Sequence, residues 1–239
     1  MPHITRLIKL KHMIKKIDVG KDIAPSILSA DFSRLGEHLK QAEAAGIQML
    51  HIDVMDRHFV PNLTFGPFIV DAIRQAGIGC KLDVHLMVDP ADPLIDDFIK
   101  KGVDRISFHP EATHNLADCI SRIKQAGCEC GIVLNPDQNW DRIIPYIKQL
   151  DFVLLMTVYP GFSGQSFIES VKPKISALKK YLDQVNPACR IQLDGGVSLQ
   201  NIVELRNLGA DHFVMGSAFF SQTDFKSYLN ACQQALDNH

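Results

Sequence analysis

The sequence predicts a single (β/α)₈ barrel, an α/β fold in which eight parallel strands alternate with helices. Eight apolar runs of strand length are separated by helical patterns, and no linker rich in Pro, Gly or Ser divides the chain of 239 residues. That length is close to the roughly 250 residues of one such barrel, and eight is the number of strands that closes it.

The eight predicted strands are mostly rich in Val, Ile and Phe and have turn-forming residues on their flanks. In chain order they are IAPSILS (23–29), MLHIDVMD (49–56), CKLDVHLMV (80–88), RISFHPE (105–111), ECGIVLN (129–135), FVLLMTV (152–158), CRIQLDGG (189–196) and HFVMGSA (212–218). Between them, segments such as 35–46 and 116–127 have apolar residues spaced three and four positions apart and end in a glycine. This spacing with a terminal glycine indicates helices. Strands that alternate with helices indicate a parallel sheet with crossover connections.

Two features near the N-terminus bear on domain organisation. An open, doubly wound sheet is the alternative fold, but its commonest cofactor requires a glycine-rich loop after the first strand, and APSILSADF (24–32) contains no glycine.

Residues 1–20 form a basic segment with weak helical spacing. We predict an N-terminal extension there, with membrane-surface docking as the alternative, and a barrel domain over 21–239.

Composition limits the classes of partner. Hydrophobic residues make up 46% of the chain, and no apolar stretch approaches the roughly 20 residues of a membrane-spanning helix. With 25 Lys and Arg against 27 Asp and Glu, the net charge of -2 gives no reason to bind nucleic acid or an acidic membrane. The six cysteines are scattered and indicate reduced thiols. We expect a cytoplasmic protein with a small-molecule partner.

Polar residues gather at the carboxyl ends of the second, third and seventh predicted strands, where barrel enzymes place their active sites. Residues two apart in a strand share one face of the sheet. The resulting sets are His51 and Asp53 with Met55, Asp83 and His85 with Met87, and Asp194 alone at the end of the seventh strand. Several buried polar side chains are therefore expected to converge inside the barrel.

Such a convergence predicts a metal site, because an unpaired buried histidine or carboxylate is costly. A divalent cation would compensate all of the candidate ligands, which are His51, Asp53, His85 and Asp194. This mixed nitrogen and oxygen set suits Zn²⁺, Fe²⁺, Mn²⁺ or Co²⁺ and not a hard, all-oxygen Mg²⁺ site. Each of these residues alone is more often a satisfied polar group of the core or a salt-bridged carboxylate, and it is the joint pattern that favours a metal. We expect one divalent metal ion and no organic cofactor.

The two carboxylates predict the chemistry. Strands two and seven lie on roughly opposite walls of an eight-stranded ring, so Asp53 and Asp194 can face each other across a substrate. A base and an acid on opposite sides of one carbon can remove and return a proton with inversion. A metal on the adjacent oxygens would act as a Lewis acid on the enediolate.

Glycine-rich segments predict a phosphate site. PGFSG (160–164), DGG (194–196) and GSA (216–218) follow strands six, seven and eight, the region where barrels commonly bind phosphate. Backbone amides in such turns can hold a dianion without lysine. Each turn alone is more often an ordinary loop, because turns commonly use glycine, but three in consecutive loops favour a phosphorylated ligand.

At these residues the sequence resembles the ribulose-phosphate 3-epimerase family, from about Ile23 to Phe220. The segments that carry the resemblance are APSILSADF (24–32), HIDVMDRHFVPNLTFGP (51–67), LDVHLMV (82–88), MTVYPGFSGQSF (156–167), DGGV (194–197) and GSAFF (216–220). The resemblance implies D-ribulose 5-phosphate as the substrate and D-xylulose 5-phosphate as the product. A homo-oligomer is also implied.

The resemblance also implies roles for individual residues. His51, Asp53, His85 and Asp194 would be metal ligands, with Asp53 the proton acceptor and Asp194 the proton donor. Residues implied to contact the sugar or its phosphate are Ser26, His85, Gly161, Phe162, Ser163, Gly164, Asp194, Gly195, Gly196, Gly216 and Ser217. Methionines implied to surround the reacting carbons are Met55, Met87 and Met156, although methionine is more often core filler.

Three positions depart from the family pattern. Arg57 stands where glycine is usual, Tyr159 where asparagine is common, and Ser163 where the turn usually has glycine. If position 57 requires a positive φ, arginine there costs on the order of 1 kcal/mol or shifts the loop. These departures bear on substrate preference and loop behaviour and remove no predicted ligand.

Two alternatives to the main interpretation stay open. An epimerase of a six-carbon ketose phosphate such as allulose 6-phosphate would use the same metal and the same two acids. HPE (109–111) is compatible with it, and His109 and Glu111 fit pocket lining or rim structure equally well. A barrel that binds a sugar phosphate without converting it is the third possibility, but it has no need for both carboxylates.

Overall fold

Eight parallel strands form the barrel wall in the computed structural model, which describes residues 18–238. They are β1 (Ile23–Pro25), β2 (Met49–Met55), β3 (Lys81–Met87), β4 (Arg105–Phe108), β5 (Glu129–Leu134), β6 (Phe152–Met156), β7 (Arg190–Asp194) and β8 (His212–Met215). Hydrogen bonds join them in the order β1-β8-β7-β6-β5-β4-β3-β2, so the predicted (β/α)₈ architecture is confirmed. The predicted extension falls outside the described residues up to position 17 and stays a prediction.

Helices cover the outside of this wall. The α-helices are α1 (Val19–Asp22), α2 (Leu35–Ala45), α3 (Phe68–Gln75), α4 (Asp92–Lys100), α5 (Leu116–Gln125), α6 (Lys172–Val185), α7 (Ile202–Asn207), α8 (Ser217–Phe220) and α9 (Phe225–Asp237). After β5 the connection is a 3₁₀ segment, Asp141–Gln149, and Pro145 inside it lacks the N–H that an α-helix would need. No helix within 18–238 has the length and apolar character needed to cross a membrane.

The alternation of β2 shows how the sequence builds two environments. Leu50, Ile52 and Val54 face the helices and join the large apolar cluster that holds the outer layer together. The residues between them, His51 and Asp53, belong to the opposite face and are buried as well. Both faces of a barrel strand are covered, which is why β2 is buried from end to end.

The seam between β1 and β2 is the weakest part of the wall. β1 pairs with β8 over three positions, whereas only a single bridge, between Ser26 and His51, joins its end to β2. The predicted first strand, 23–29, is shorter in the structure because Ser26 caps a 3₁₀ turn over Ile27–Ser29 and its Oγ accepts from Leu28 N at 3.3 Å. The strand therefore ends where the candidate site begins.

Candidate active site

A cavity of about 300 Å³ opens at the carboxyl ends of the strands. Most of the predicted site residues line it. The lining includes Ser26, Asp53, Met55, Met87, Met156, Gly161, Phe162, Ser163, Gly164, Asp194, Gly195, Gly196, Gly216 and Ser217. His51 and His85 do not line the cavity, since both are fully buried inside the barrel. The residues that the motifs singled out in separate parts of the chain thus share one location.

His51, Asp53, His85 and Asp194 form a compact cluster at this end. One ligand atom from each lies within 4.8 Å of the others. The parallel register of β2 and β3 pairs Asp53 with His85, which brings two of the four side by side. Asp194 reaches the same place from the last residue of β7. Three strands therefore supply the cluster that the sequence predicts.

Two ring nitrogens in this cluster have no hydrogen-bond partner, although they are buried. They are His51 Nε2 and His85 Nδ1. Each lies 3.3 Å from Asp53 Oδ1, and Asp194 Oδ2 is 3.7 Å from the first and 3.6 Å from the second. Unpartnered buried nitrogens that face two carboxylates fit a divalent cation, which would accept electron pairs from all four groups.

The pKa values in the cluster are strongly perturbed by mutual charge. Burial alone would raise the pKa of Asp53, but the His51 and His85 rings next to it hold that pKa far below its usual range. Burial lowers the pKa of His51, and the charge of Asp53 outweighs it and raises the pKa well above the usual value. The pKa of His85 is raised in the same way, through its contacts with Asp194 and Asp53. Such shifts are typical of functional sites.

Asp83 fixes the orientation of His51 from behind. Its Oδ2 accepts from His51 Nδ1 at 2.9 Å and from Gln192 Nε2 at 2.6 Å. Because Nδ1 donates to Asp83, Nε2 is the His51 nitrogen that faces Asp53 and would offer its lone pair to a cation. Sequence analysis assigned no role to Asp83 or Gln192. The available signal was a repeated spacing, since Asp83 precedes His85 and Gln192 precedes Asp194 by two residues.

His109 lies behind His85 and takes no part in lining the cavity. Its Nε2 is 3.0 Å from His85 Nε2, and the His109 ring is fully buried. Burial lowers the pKa of His109 to about 4, so the ring is neutral near pH 7. Glu111 lies 3.6 Å from the other ring nitrogen of His109. Of the two interpretations of HPE, neither pocket lining nor simple rim structure describes His109.

Glycines allow close approach of the loop after β7 to the loop after β6, and of the loop after β8 to the segment after β1. Gly195 and Gly196 have φ values of 114° and 64°, and a Cβ on Gly196 would lie 2.4 Å from the Phe167 nitrogen. A Cβ on Gly216 would lie 2.6 Å from Ser29 Oγ. A larger residue at Gly196 would therefore force the loops apart. Among the described residues that line the cavity, none is lysine or arginine.

Arg57 has the strain that the sequence comparison suggested. Its φ is 62°, a positive value that within 18–238 no other residue except glycine adopts. The surrounding loop compensates, since Arg57 N donates to Asn62 O at 2.8 Å and the Asp56 carboxylate accepts from the backbone of the same loop. Asn62 Nδ2 in turn donates to Gly161 O at 2.7 Å, which ties this loop to the one after β6.

The other two departures differ in position. Ser163 lines the cavity, whereas Tyr159 does not and its side chain is exposed. Gln165 Nε2 donates to the backbone oxygens of Tyr159 and Phe162 and closes the loop between them. Only Ser163 is therefore placed to contact a ligand.

Comparisons with known proteins point to one family. A model of the ribulose-phosphate 3 epimerase family matches residues 22–220. A ribulose-phosphate 3-epimerase of Serratia marcescens is 48% identical over 204 residues, which cover 85% of this chain and 97% of that protein. One from Escherichia coli is 45% identical over 214 residues, covering 90% of this chain and 95% of that protein.

Solved structures with low sequence identity share the fold. The 3-hexulose-6-phosphate synthase of Salmonella typhimurium matches with a TM-score of 0.65 at 16% identity, over 91% of this chain and 99% of that one. Orotidine 5'-phosphate decarboxylase from Pyrococcus horikoshii matches with a TM-score of 0.63 at 15% identity, over 90% and 99%. At this identity the likeness concerns the barrel alone.

Proposed function

The chain belongs to the ribulose-phosphate 3-epimerase family, and we propose that it interconverts D-ribulose 5-phosphate and D-xylulose 5-phosphate by moving the C3 proton between Asp53 and Asp194. One observation carries the proposal: carboxylates from β2 and β7 line a single cavity, next to two buried histidines. The names of the relatives favour this five-carbon sugar over allulose 6-phosphate.

Asp53 is suited to remove the proton. The neighbouring histidines hold its pKa far below the usual range, so the carboxylate is ionised. Ser26 Oγ donates to Oδ2 at 2.5 Å, while Oδ1 faces the histidine nitrogens. A carboxylate held at both oxygens keeps one orientation toward a substrate. Transfer of the C3 proton to it leaves an enediolate.

Asp194 is suited to return a proton on the other face. Because one carboxylate accepts a proton and the other gives one in each turnover, Asp194 must start protonated while Asp53 is ionised. After one turnover Asp53 holds the proton and Asp194 is ionised, which is the state needed for the reverse direction. Met55, Met87 and Met156 surround this region and keep it apolar, which strengthens each electrostatic contact.

The metal ligands would be His51 through Nε2, His85 through Nδ1, and one oxygen each of Asp53 and Asp194. The donor set favours Zn²⁺, Fe²⁺, Mn²⁺ or Co²⁺. A cation bound there would polarise the oxygens next to C3 and so make its proton more acidic.

The phosphate would lie among the loops after β6, β7 and β8. Backbone amides of these glycine-rich loops and the hydroxyls of Ser163 and Ser217 offer donors to a dianion. With no lysine or arginine among the described lining residues, binding depends on these neutral groups.

We also propose a homo-oligomer in the cytoplasm. The support is an exposed apolar surface around the β2–α3 connection, where Leu63 and Phe68 are exposed and the exposed Phe32 ring contacts Phe65. A second copy of the chain would cover these side chains. Light scattering of the wild type and of Leu63→Asp tests this, since the charged side chain should shift the assembly toward monomers.

Incubation with D-ribulose 5-phosphate in D₂O, followed by ¹H NMR, tests the main proposal. An epimerase gives D-xylulose 5-phosphate and loses the C3 proton signal to deuterium, whereas a binding protein changes neither. Turnover on allulose 6-phosphate under the same conditions measures the preference. Faster conversion of the six-carbon sugar would contradict the assignment of the substrate.

A further inference from the structure

The ring nitrogens of His51 and His85 that point away from Asp53 have different hydrogen-bond partners. His51 Nδ1 donates directly to a carboxylate, Asp83, at 2.9 Å. His85 Nε2 instead faces the ring nitrogen of a second histidine, His109 Nε2, at 3.0 Å. Both contacts lie fully inside the barrel, so water does not compete for them. The proton on His85 therefore depends on which nitrogen of His109 carries one.

Two facing imidazole nitrogens allow only one proton between them. If His85 Nε2 carries it, the lone pair of His85 lies on Nδ1, the atom that faces Asp53 and Asp194. If His109 Nε2 carries it, His85 must be protonated on Nδ1 and presents a proton where a ligand lone pair is needed. The state of His109 thus decides whether His85 can bind a cation.

Glu111 selects the first arrangement. Its Oε1 lies 3.6 Å from His109 Nδ1, longer than a hydrogen bond but close enough to favour a proton on that nitrogen. The carboxylate is itself held, since Asn135 Nδ2 and Gln138 Nε2 donate to Oε1 at 3.1 and 2.8 Å. With the proton on Nδ1, His109 Nε2 accepts from His85 Nε2.

The position of the His109 ring is fixed as well. The Phe59 ring from the β2–α3 loop packs on it with 4.5 Å between ring centroids. His109 follows β4 directly, and Pro110 begins a 3₁₀ turn that carries Glu111. The HPE segment therefore supplies an acceptor, a rigid turn and a carboxylate in three consecutive residues.

We propose that His109 and Glu111 are positioning residues, which hold His85 in the tautomer that binds the divalent cation through Nδ1. The inference rests on the proposed function, because it takes His85 to be a metal ligand. It assigns neither His109 nor Glu111 a contact with the substrate. Outer partners of metal-binding histidines typically contribute 10- to 100-fold to metal affinity.

The test is the dissociation constant of Zn²⁺, measured by competition with a chelator. His109→Phe keeps the ring but removes the acceptor, and we expect binding about 10- to 100-fold weaker. His109→Gln places an oxygen near the Nε2 position and should stay within about threefold of the wild type. His114→Phe is the matched control, because it removes an exposed histidine from the same connection.

A second readout separates positioning from packing. The visible spectrum of the Co²⁺-loaded protein should change in His109→Phe and not in His114→Phe, since it reports the ligand field of the metal. Glu111→Leu, near the surface, should weaken Zn²⁺ binding by about 3- to 10-fold. If His109→Phe does not fold, this variant tests the positioning role in its place.

The outcomes are distinct. Unchanged Zn²⁺ affinity in folded His109→Phe, or equal weakening in His109→Phe and His109→Gln, would overturn the positioning role and leave the epimerase proposal standing. If His109→Phe is unfolded, unchanged affinity in Glu111→Leu overturns the role in the same way. A wild-type protein that binds no divalent metal would overturn the metal site itself, and the positioning role with it.

Discussion

The two ends of the barrel interior handle buried charge in opposite ways. At the amino ends of the strands, Arg105 is buried, lies 3.3 Å from Glu129 and donates to Gln192, and His212 lies 3.5 Å from Asp22. The Arg105 charge there faces two carboxylates, Glu129 and, at 3.8 Å, Asp83. At the carboxyl ends, Asp53 and Asp194 lie next to His51 and His85, and no lysine or arginine is among the described lining residues.

This difference indicates that the amino end of the barrel serves stability and the carboxyl end serves function. The amino end balances its buried arginine charge with carboxylates of the protein itself, whereas an end with two carboxylates and two unpartnered histidine nitrogens gains from a cation. Substitutions at the amino end should therefore reduce stability, and substitutions at the carboxyl end should reduce turnover.

The strongest test of the separation is Asp194→Asn. We expect epimerisation to fall by roughly 10²- to 10⁴-fold, because the proposed general acid is lost, while the free energy of unfolding changes little. Starting from the sugar whose C3 proton Asp53 removes, solvent deuterium should still enter recovered substrate without inversion. Asp53→Asn should suppress that exchange. NMR in D₂O measures both.

Metal content must be determined in the same samples, because each carboxylate is also a proposed ligand. A metal-loaded Asp194→Asn protein that epimerises at nearly the wild-type rate would rule out the two-carboxylate mechanism.

At the other end, Arg105→Met should lower the free energy of unfolding by about 3–5 kcal/mol, because it leaves buried carboxylate charge without its partner. Arg105 Nε is 3.8 Å from Asp83, so the loss also removes a neighbour of the residue that orients His51. Urea unfolding measures the change, and Arg190→Met, half-buried at the start of β7, is the control. Equal, small effects of both substitutions would show that the amino end is not held by Arg105.

Two buried cysteines that directly precede β3 and β7, Cys80 and Cys189, make stability at the amino end depend on pH. Burial raises the pKa of both Cys80 and Cys189 to about 12. The unfolded thiol ionises near pH 8.5, so this contribution to stability is complete below that pH and declines as pH rises toward 12. Each thiol should cost about 1.4 kcal/mol per pH unit in that window. Cys189→Ala should show a shallower decline in unfolding free energy from pH 8 to 10, and an identical slope would contradict the shift.

The smallest effect is expected at Arg57→Gly. Relief of the positive φ should raise the free energy of unfolding by about 1 kcal/mol, and the Michaelis constant should change by no more than a few-fold. Thermal unfolding and steady-state kinetics measure these. Loss of turnover comparable to that of Asp53→Asn would mean that Arg57 acts in the chemistry.

Much of this arrangement could be predicted because it depends on local periodicity. Residues two apart share a face of a strand, so the spacing of His51 and Asp53, together with the strand count, was sufficient to predict which side chains would meet. The order of strands in a closed barrel then brought His85 and Asp194 to the same end.

The partners behind the cluster could not be predicted in this way. Asp83 meets Gln192, and His85 meets His109, only because the stagger of neighbouring strands sets their relative heights. Sequence spacing gives the face of a side chain but not its height along the barrel. The end of β1 also depended on tertiary context, since the side chain of Ser26 competes for the backbone there.

The pairing of β1 with β8 has a consequence for how the protein is made. Ile23 and Phe213 are partners although almost the whole barrel lies between them in sequence. A chain emerging from the ribosome presents β1 first, and β1 must wait for the last strand before it has a neighbour on that side. Because Ser26 closes the remaining seam to His51 and holds Asp53, the catalytic end can reach its final geometry only after synthesis is nearly complete. Truncated chains should therefore be inactive even when all of the proposed metal ligands are present.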